Sequence, residues 1–395
     1  MSIQSPSRLT QDLLHDVQTA LLSWYAVHAR QLPWRDTTNP YAVWVSEVML
    51  QQTQVKTVIP YYNRFMRQFP SLSALAAASD DDLAMAWAGL GYYRRVRNLQ
   101  AAVRQVIAHH QGKVPDDWQV FRSLPGVGDY TAGAVLSIAY QKPYPAVDGN
   151  VKRVLARFFA VDAPLEKAAT FARIKQYAQE LLPHHAPGLF NQALMELGAL
   201  VCTPKRPQCD ICPVAVWCKA RLMGNAMQLP VRLPRKKPRP AVRVCGVIRA
   251  GEKTLFKRRT HGVLQGYWEL PGRQLEEGEK VDFGVRQLAC HLSHRGLAVR
   301  PGRYLGAVAH TFSHVRWHVH IYALDLISVS ERWAIDSPDV REPGTMYTAG
   351  EEQDIWAWLT PQEVRATGLP VALRRILDKA ELKPVESAAG DANIT

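Results

Sequence analysis

Apolar residues recur at helical spacing through the first half of the chain. The first stripe, which follows a candidate N-cap at Thr10, is formed by Leu13, Leu14, Val17, Leu21 and Leu22. Further segments with this spacing are Val43–Leu50, Asp80–Leu90, Thr131–Ala139 and Val151–Ala160. Because no segment before about Met223 alternates clearly between apolar and polar residues, the pattern predicts an all-α region from about Thr10 to Met223.

The pattern becomes mixed after Ala241. Strands are predicted at Val242–Cys245, Thr254–Lys257, Val315–Tyr322 and Ile355–Leu359, and a helix at Val281–Leu292. Runs of strands with a separate helix are typical of an α+β domain.

A proline-rich basic stretch, QLPVRLPRKKPRP at Gln228–Pro240, separates the two patterns and predicts an extended linker. It is either a solvated spacer or a segment that lies along DNA phosphates. The small polar residues of Glu386–Thr395 predict a disordered tail. The expected divisions are a helical domain (1–225), a linker (226–240), an α+β domain (241–383) and a tail (384–395).

Charge indicates the kind of partner. The 395 residues carry a formal net charge of +13, spread along the chain, which favours a polyanion such as nucleic acid. No apolar run approaches the length of a membrane span, and the first residues lack the pattern of a signal peptide. We therefore expect no membrane association and a reducing compartment, the cytoplasm of a bacterium, close to the nucleoid.

Four cysteines lie close together in the order C-x6-C-x2-C-x5-C: Cys202, Cys209, Cys212 and Cys218. Zinc sites usually combine two short Cys pairs, whereas this segment has only one. The spacing therefore favours an iron–sulfur cluster held by four thiolates. A zinc site or structural cysteines remain the alternatives, because zinc and iron share thiolate ligands.

A glycine-containing turn lies between two helical segments, in the sequence Leu124-Pro-Gly-Val-Gly-Asp-Tyr-Thr131. Gly126 and Gly128 let backbone amides approach a phosphate closely, and the helix that follows adds its positive N-terminal dipole. By itself such a turn is usually only a tight connection. With its helices it predicts a helix-hairpin-helix that contacts the DNA backbone without reading sequence.

Two carboxylates are candidates for chemistry. Asp148 precedes a helix in Ala146–Val151, where its ordinary role is that of an N-cap. Glu47 lies inside the apolar helix around Trp44 and Leu50, although a glutamate is by default solvent-exposed. Burial there raises the pKa of a carboxyl group and keeps a proton available for donation.

These segments together resemble the endonuclease III superfamily of DNA glycosylases over about residues 20–220. The ordered motifs are E-V-M-L-Q-Q-T, L-P-G-V-G, V-D-G-N-V-x-R and the four-cysteine segment. Within the superfamily the chain is most similar to glycosylases that excise adenine opposite 8-oxoguanine or guanine. The resemblance implies double-stranded DNA as the partner, one 4Fe-4S cluster on the four cysteines, and base excision repair as the process.

The resemblance also implies roles for single residues. Glu47 would protonate the adenine, Asp148 would face the positively charged sugar, and Tyr130 and Asn150 would position these groups. Gln52 would enter the duplex and Tyr92 would wedge beside the partner base. Both could equally be ordinary surface residues.

One position indicates the subclass. The superfamily's bifunctional lyases have a lysine where this chain has Tyr130, and that lysine forms a Schiff base with the sugar. We therefore expect a monofunctional glycosylase, with Lys142 as a lysine near enough in sequence to trap the sugar incidentally.

The α+β region contains Trp268-Glu-Leu-Pro-Gly272, which resembles the entry to a Nudix box. The metal-binding glutamates expected after it are replaced by Gly278, Gln287, Cys290 and His291. A Nudix-like fold without hydrolysis is therefore predicted, serving recognition. By resemblance, Phe312, Ser313 and His314 would form the turn that contacts 8-oxoguanine, although an isolated Phe-Ser-His would more often be a plain hairpin turn.

Three other functions agree with parts of the sequence. A mismatch thymine glycosylase shares the helical core but should lack the C-terminal domain. A non-catalytic damaged-DNA-binding protein would not need both Glu47 and Asp148, and an electron-transfer protein would not need the helix-hairpin-helix. A monomer is expected.

Overall fold

A computed structural model of the protein describes residues 10–234, 237–260, 262–330, 333, 347–348, 355–367 and 369–381. The predicted tail lies outside these residues. The chain divides into two compact units, of which the first comprises residues 1–78 and 94–235 and the second 79–93 and 236–395. The second unit therefore includes a short segment from within the predicted helical domain.

Residues 10–234 form helices and no strand. The helices are α1 (Gln11–His28), α2 (Pro40–Leu50), α3 (Val55–Gln68), α4 (Leu72–Ala77), α5 (Asp80–Trp87), α6 (Arg94–His109), α7 (Trp118–Ser123), α8 (Asp129–Tyr140), α9 (Gly149–Phe158), α10 (Ala168–Leu181), α11 (Pro187–Leu200) and α12 (Lys219–Leu222). The prediction of an all-α N-terminal region is thus confirmed. None of the described helices is both long and apolar enough to cross a bilayer.

Local capping explains where the site-bearing helices begin. Thr10 accepts a hydrogen bond from the Leu13 amide and starts α1, as predicted. Asn39 caps α2, with Pro40 at its first position, where a missing amide hydrogen costs nothing. Asp148 caps α9.

Helix α8 is the centre of the first unit. Its residues 131–138 are all buried, and small side chains let its neighbours approach closely. A Cβ atom on Gly133 would lie 2.2 Å from the Pro145 carbonyl oxygen, and one on Gly188 of α11 would lie 2.5 Å from the Ser137 carbonyl oxygen. Helix α2, buried along most of its length, packs against α8. Helix α2, which contains Glu47, and helix α8, which contains Tyr130, are therefore held side by side in the core.

A second hydrophobic core in this unit joins α1, α9, α10 and α11. Leu21, Leu155, Ile174 and Phe190 are fully buried within it. Three cysteines of the four-cysteine segment, Cys202, Cys212 and Cys218, pack at the edge of this core. The four-cysteine segment is therefore attached to the same core as α9, the helix that Asp148 caps.

The predicted linker is partly bound to the first unit. Leu229 is buried, and its carbonyl oxygen accepts from Arg157 Nε at 2.9 Å. Further along, the Leu165 amide donates to the Val231 carbonyl oxygen at 3.2 Å. The first strand begins at Arg239, inside the segment predicted as linker, since pairing with another strand satisfies its backbone groups.

The second unit contains two sheets. Its strands are β1 (Arg239–Val247), β2 (Arg249–Ala250), β3 (Lys253–Arg258), β4 (Trp268–Glu269), β5 (Gly272–Gln274), β6 (Leu297–Thr311), β7 (Val315–Val329), β8 (Tyr347–Thr348) and β9 (Ile355–Leu359), and its later helices are α13 (Val281–His294), α14 (Pro361–Ala366) and α15 (Val371–Lys379).

One sheet has the order β5-β1-β7-β6, with β1 and β7 parallel and the other pairs antiparallel. The other has the order β2-β3-β9-β8, with β4 paired to β3. Helix α13 packs on β1 and β6, around Leu288 and Leu292. The predicted α+β architecture is confirmed, although β6 was not predicted as a strand.

The segment 79–93 is joined to the rest of the second unit by aromatic and ionic contacts. Tyr93 and Tyr267 are buried and meet edge to face, with ring centroids 4.7 Å apart. Arg258 lies 3.8 Å from Asp80 and 3.6 Å from Asp81. Helix α5 lies wholly within this segment and is therefore part of the second unit.

Candidate active site

A cavity of about 620 Å³ in the first unit gathers most of the residues that the sequence predicted for catalysis and backbone contact. Its walls include Glu47, Gln52, Gly126, Gly128, Tyr130, Asp148 and Asn150. These residues come from α2 and the turn after it, and from α8, α9 and the turns before those two helices, so the fold joins Glu47 to Asn150, which is 103 positions away in sequence.

Glu47 is a buried carboxylic acid. It is 5% exposed on α2 and accepts a hydrogen bond from the Tyr130 hydroxyl. Its pKa is raised to about 7, chiefly by burial and also by the charge of Asp148, while the Tyr130 hydrogen bond and Arg35 oppose the rise. At neutral pH about half of such groups carry a proton, as a general acid requires.

Tyr130 occupies the position where related lyases have a lysine. Its hydroxyl donates to Glu47 and lies 3.5 Å from the Met195 sulfur. Burial and the nearby carboxylates of Glu47 and Asp148 hold its pKa well above the usual range. Tyr130 is therefore a neutral hydrogen-bond donor to the acid.

Lysines are placed differently from the sequence expectation. Lys142 pairs with Asp116 at 3.1 Å and is not among the residues that line the cavity, whereas Lys152 lines it. Burial lowers the pKa of Lys152.

Asp148 has a structural bond as well as a place in the cavity. It accepts from the Val151 amide at 2.7 Å, as the N-cap of α9, and from Asn150 Nδ2 at 2.9 Å. Burial raises its pKa, and these two hydrogen bonds and Arg153 oppose the rise. The cap fixes the carboxylate at the mouth of the helix, where the positive end of the helix dipole favours an anion.

The segment before Asp148 is held by a buried amide. Asn191 of α11 is 2% exposed and accepts from the Ala146 amide at 3.0 Å. Its Nδ2 donates to Ser137 Oγ and to the Tyr144 carbonyl oxygen, each at 2.9 Å. Because all of its hydrogen-bonding groups are used, Asn191 fixes the path of the chain into the cavity.

Asn150 joins the cavity to the four-cysteine segment through Arg153. Arg153 Nη2 donates to Asn150 Oδ1 at 2.9 Å and to the Gly198 carbonyl oxygen at 2.7 Å. Its Nε donates to the Cys202 carbonyl oxygen at 2.8 Å. The guanidinium group of Arg153 is therefore held by three fixed acceptors.

Glu196 is a wall residue that the sequence analysis missed. It is 1% exposed on α11, with Arg30 at 2.7 Å and Arg35 at 2.8 Å. Burial raises its pKa, but the hydrogen bonds from both arginines prevail and lower the pKa to about 2. The cavity thus contains a carboxyl group that stays ionised beside one, Glu47, that can hold a proton. Glu196 lies in the apolar run Leu-Met-Glu-Leu-Gly, the same signal that identified Glu47.

Gln52 lies at the end of α2, exposed and in the left-handed backbone region with φ of 59°. Arg95 holds this turn by donating to the Val48 and Met49 carbonyl oxygens at 2.9 and 2.8 Å, and to the carbonyl of Gln51. A non-glycine residue in this conformation persists only where its surroundings impose it. The turn presents Gln52 at the rim of the cavity.

The glycine turn between α7 and α8 has the geometry of the predicted hairpin. Gly126 and Gly128 are exposed, and Val127 between them is buried. Gly126 has φ of 75°, and a Cβ atom there would lie 2.7 Å from Asn98 Cβ. A Cβ atom on Gly128 would meet no protein atom within 4 Å. Gly128 thus leaves open space at the N-terminus of α8.

The four cysteines line a single cavity, walled also by Val154, Phe158 and Leu197. Arg157, which is 1% exposed, donates to Cys202 Sγ at 3.3 Å and to the Thr203 carbonyl oxygen at 2.7 Å. Four cysteines around one cavity are the donor set of an iron–sulfur cluster, so these residues fit that group.

The turn predicted to contact 8-oxoguanine, residues Phe312, Ser313 and His314, lies in the second unit at the tip of the β6–β7 hairpin. We call it the reading turn. Phe312 is half-buried, and Ser313 and His314 are exposed. Tyr92 also belongs to the second unit; it is 48% exposed, with φ of 50°. In the Nudix-like segment, Glu279 lies one position after Gly278, which occupies the place of the first expected metal-binding glutamate. Arg273 pairs with Glu279, so this carboxylate is engaged within the protein.

Family models match three parts of the chain. Residues 45–180 match the HhH-GPD superfamily of base excision DNA repair proteins, residues 202–218 the iron–sulfur binding domain of endonuclease III, and residues 243–379 the NUDIX domain. A solved structure of a thermostable thymine-DNA glycosylase aligns with a TM-score of 0.50 and 26% identity, covering 53% of this chain and 97% of that one. Fold and site thus define a helix-hairpin-helix DNA glycosylase that binds a 4Fe-4S cluster and has a Nudix-like domain.

Curated relatives show which family of DNA glycosylases the chain belongs to. Adenine DNA glycosylase of Rattus norvegicus is 37% identical over 410 residues, with 90% of this chain and 76% of the relative covered. That of Homo sapiens is 35% identical over 415 residues, with 90% and 72% covered. The chain belongs to the adenine DNA glycosylase family. The predicted family, enzyme class and cofactor are therefore confirmed.

Proposed function

We propose that the enzyme excises adenine from double-stranded DNA opposite 8-oxoguanine or guanine, without cutting the strand. The observation that supports this most directly is that Glu47, Tyr130 and Asp148 line one cavity. A base inside a duplex cannot reach such a cavity, so the adenine must be flipped out of the stack.

Glu47 protonates a ring nitrogen of the flipped adenine while the bond between the sugar C1′ and the base breaks. The adenine then leaves as a neutral molecule, and Asp148 stabilises the positive charge that develops on the sugar. Water adds to C1′ and gives up its proton, which restores the carboxylic acid. Because Tyr130 has no amine, no Schiff base forms at this position and the product is an intact strand with an abasic site.

Glu196 and its two arginines provide a charged wall with fixed orientation. The carboxylate of Glu196 is filled by five hydrogen bonds from Arg30 and Arg35, so it fixes the orientation of both arginines, which can only donate. The wall therefore offers a ligand hydrogen-bond donors in a fixed orientation. This matches the acceptor atoms of a nucleobase rather than a purely apolar ligand.

Recognition of the opposite base is assigned to the second unit. Ser313, exposed at the hairpin tip, can donate or accept at the altered edge of 8-oxoguanine, and Phe312 and His314 flank it. Gln52 and Tyr92, both exposed, would fill and wedge the opened duplex. All of these residues are present in one chain, so a monomer, acting where bacterial DNA lies, would suffice.

The test uses the cluster-loaded full chain and duplexes with adenine opposite 8-oxoguanine, adenine opposite guanine, or thymine opposite guanine. We expect strand scission at adenine only after alkali. Scission without alkali would overturn the monofunctional assignment, and preferred excision of thymine would support the mismatch thymine glycosylase instead.

Glu47→Gln tests the acid. Glutamine keeps the shape of the side chain but has no proton to give, so we expect single-turnover excision to fall by at least about 10²-fold with DNA affinity unchanged. Rates are measured with saturating enzyme, and affinity by gel shift. Normal excision by this variant would remove Glu47 from the mechanism.

A further inference from the structure

The hairpin tip that carries Ser313 is held on one side by aromatic packing. The Phe312 amide donates to the Val315 carbonyl oxygen at 2.8 Å and closes the turn. The Phe312 ring meets His310 and Trp317 edge to face, with centroids 4.6 and 4.9 Å away. The position of the turn therefore depends on where the Trp317 ring lies.

Trp317 is 3% exposed and is contacted by two guanidinium groups. The central carbon of Arg243 lies 4.9 Å from the ring centroid and that of Arg259 lies 5.1 Å from it. Each contact is attractive as a cation–π interaction. Two positive charges on one buried ring also repel each other, however, and this repulsion is strong where water is excluded.

Glu269 supplies the missing negative charge. Its Oε2 atom lies 2.6 Å from Arg259 Nη1 and 3.6 Å from Arg243 Nη2. The three side chains are only 9–13% exposed. Among the described residues Arg259 Nε has no hydrogen-bond partner, whereas Arg259 Nη1 donates to Glu269 Oε2. We call Arg243, Arg259 and Glu269 around Trp317 the Trp317 clamp.

We propose that Glu269 is a positioning residue for opposite-base recognition, because it holds the Trp317 clamp together and the clamp fixes the Phe312–Ser313–His314 turn. This inference rests on the proposed role of that turn. Glu269 lies in the Trp-Glu-Leu-Pro-Gly segment that resembles the entry to a Nudix box. The metal-binding glutamates expected after this segment are replaced in this chain. In this proposal the segment instead positions the Phe312–Ser313–His314 turn.

The test measures one ratio in the cluster-loaded full chain: the excision rate for adenine opposite 8-oxoguanine divided by that for adenine opposite guanine, at subsaturating enzyme. Removal of one polar contact to the base, in Ser313→Ala, should lower the ratio about tenfold. Glu269→Gln should lower it similarly, with the maximal rate opposite guanine unchanged. The double variant should lose no more than the single ones, because both act on the same turn.

Glu279→Gln is the matched control. Its carboxylate is 10% exposed, is paired with Arg273 and lies in the same unit. We expect this variant to keep the wild-type ratio. An equal loss in Glu279→Gln would show that any weakened ion pair has the effect, and would overturn the inference.

The remaining outcomes separate the two proposals. A normal ratio in Ser313→Ala would refute the reading function of the turn. A reduced ratio in Ser313→Ala with a normal ratio in Glu269→Gln, or additive losses in the double variant, would overturn the role of Glu269 alone. If Glu269→Gln does not fold, Trp317→Phe, which keeps an aromatic ring but shortens its contact with Phe312, is judged by the same criteria.

Discussion

At the residue scale, the central feature is a carboxylic acid whose charge is disfavoured by its surroundings. Glu47 is buried in an apolar helix, and its pKa is about 7. In the proposed mechanism the acid form of Glu47 is the active one, so excision should decline as the pH rises through about 7. A decline also at low pH is expected, because the proposed role of Asp148 needs its charged form and burial raises the pKa of this group.

Tyr130→Phe changes the pH dependence in a defined direction. The lost hydrogen bond favours the charged form of Glu47, so its removal raises the pKa of Glu47. We expect the alkaline decline in single-turnover excision to move upward by about one pH unit, the equivalent of a hydrogen bond of ~1.4 kcal/mol.

Tyr25→Phe is the matched control for this measurement. The hydroxyl of Tyr25 donates to Gln192 at 3.2 Å, so its removal deletes a tyrosine hydrogen bond without touching Glu47. The pH profile of Tyr25→Phe should match that of the wild type. A downward shift in Tyr130→Phe, or the same shift in both variants, would contradict the assignment.

Single residues also show how far the sequence predicts the site. Glu47, Tyr130 and Asp148 lie in short motifs with local signals: an acid in an apolar helix, a turn before a helix, and a cap. Arg30 and Arg35 could not be assigned, because their partner Glu196 is more than 160 positions away and only the fold brings them together. The sequence alone did not indicate Lys152 as the lysine that lines the cavity, because only the fold brings it there, whereas Lys142 pairs with Asp116.

At the element scale, α9 is the structure that connects cavity and cluster segment. Asp148 caps its first turn, and Arg153 and Arg157 leave its buried face to bind the backbone of residues 202–204. The helix is therefore a rigid spacer with the reaction site at one end and the cysteine segment along its side.

Arg157→Lys should detach the cysteine segment. Arginine donates in a planar fork to Thr203, Pro204 and Leu229, which a lysine ammonium cannot do at once. We expect a loss of at least about 3 kcal/mol in unfolding free energy and reduced iron content, measured by urea denaturation and iron analysis. Arg104→Lys, at an exposed arginine bonded to the Ala76 carbonyl oxygen, should change neither.

The hairpin offers a test that separates folding from DNA contact. Gly128→Ala places its Cβ atom in open space, so we expect an unchanged melting temperature but about tenfold weaker DNA binding, since the methyl group displaces an approaching phosphate. Gly126→Ala should also destabilise the fold, by about 1–2 kcal/mol, because of its positive φ and the contact with Asn98. Unchanged DNA affinity in Gly128→Ala would exclude the hairpin from the interface.

Some helices and strands could be predicted from the sequence and others could not, for physical reasons. Helices α1, α2, α8 and α9 were found because stripes and caps are local features. Strand β6 was missed because irregular pairing with β7 between Pro301 and Gly306 breaks its alternation of buried and exposed residues. Its 15 residues gain stability from that pairing, which the segment alone does not reveal.

At the scale of the whole molecule, each unit carries one part of the proposed task. The cavity and the cysteine segment belong to the first unit, and the reading turn to the second. The division does not follow the chain, because residues 79–93 cluster with the second unit. A cut between the predicted domains therefore removes partners of a segment encoded well before the linker.

Deletion of residues 236–395 tests this division. Asp80, Asp81 and Tyr93 lose their contacts with Arg258 and Tyr267. We expect amide hydrogen exchange in residues 80–93 to accelerate by more than about tenfold, because the contacts that join this segment to the rest of its unit are lost. Exchange in α6, residues 96–108, should be unchanged. Equal protection of residues 80–93 in the full chain and in the deletion variant would contradict the assignment of this segment to the second unit.

Asp148 has an observed role as the cap of α9 and a proposed role as counter-charge to the sugar, and this has a consequence for how such an enzyme can lose its activity. Asparagine caps helices as well as aspartate does, so replacing one carboxylate oxygen with an amide group would leave α9 intact while removing the proposed counter-charge. Inactivation by so small an exchange would escape cellular quality control, which removes chains that unfold. A cell could accumulate well-folded copies that occupy damaged sites and shield them from repair.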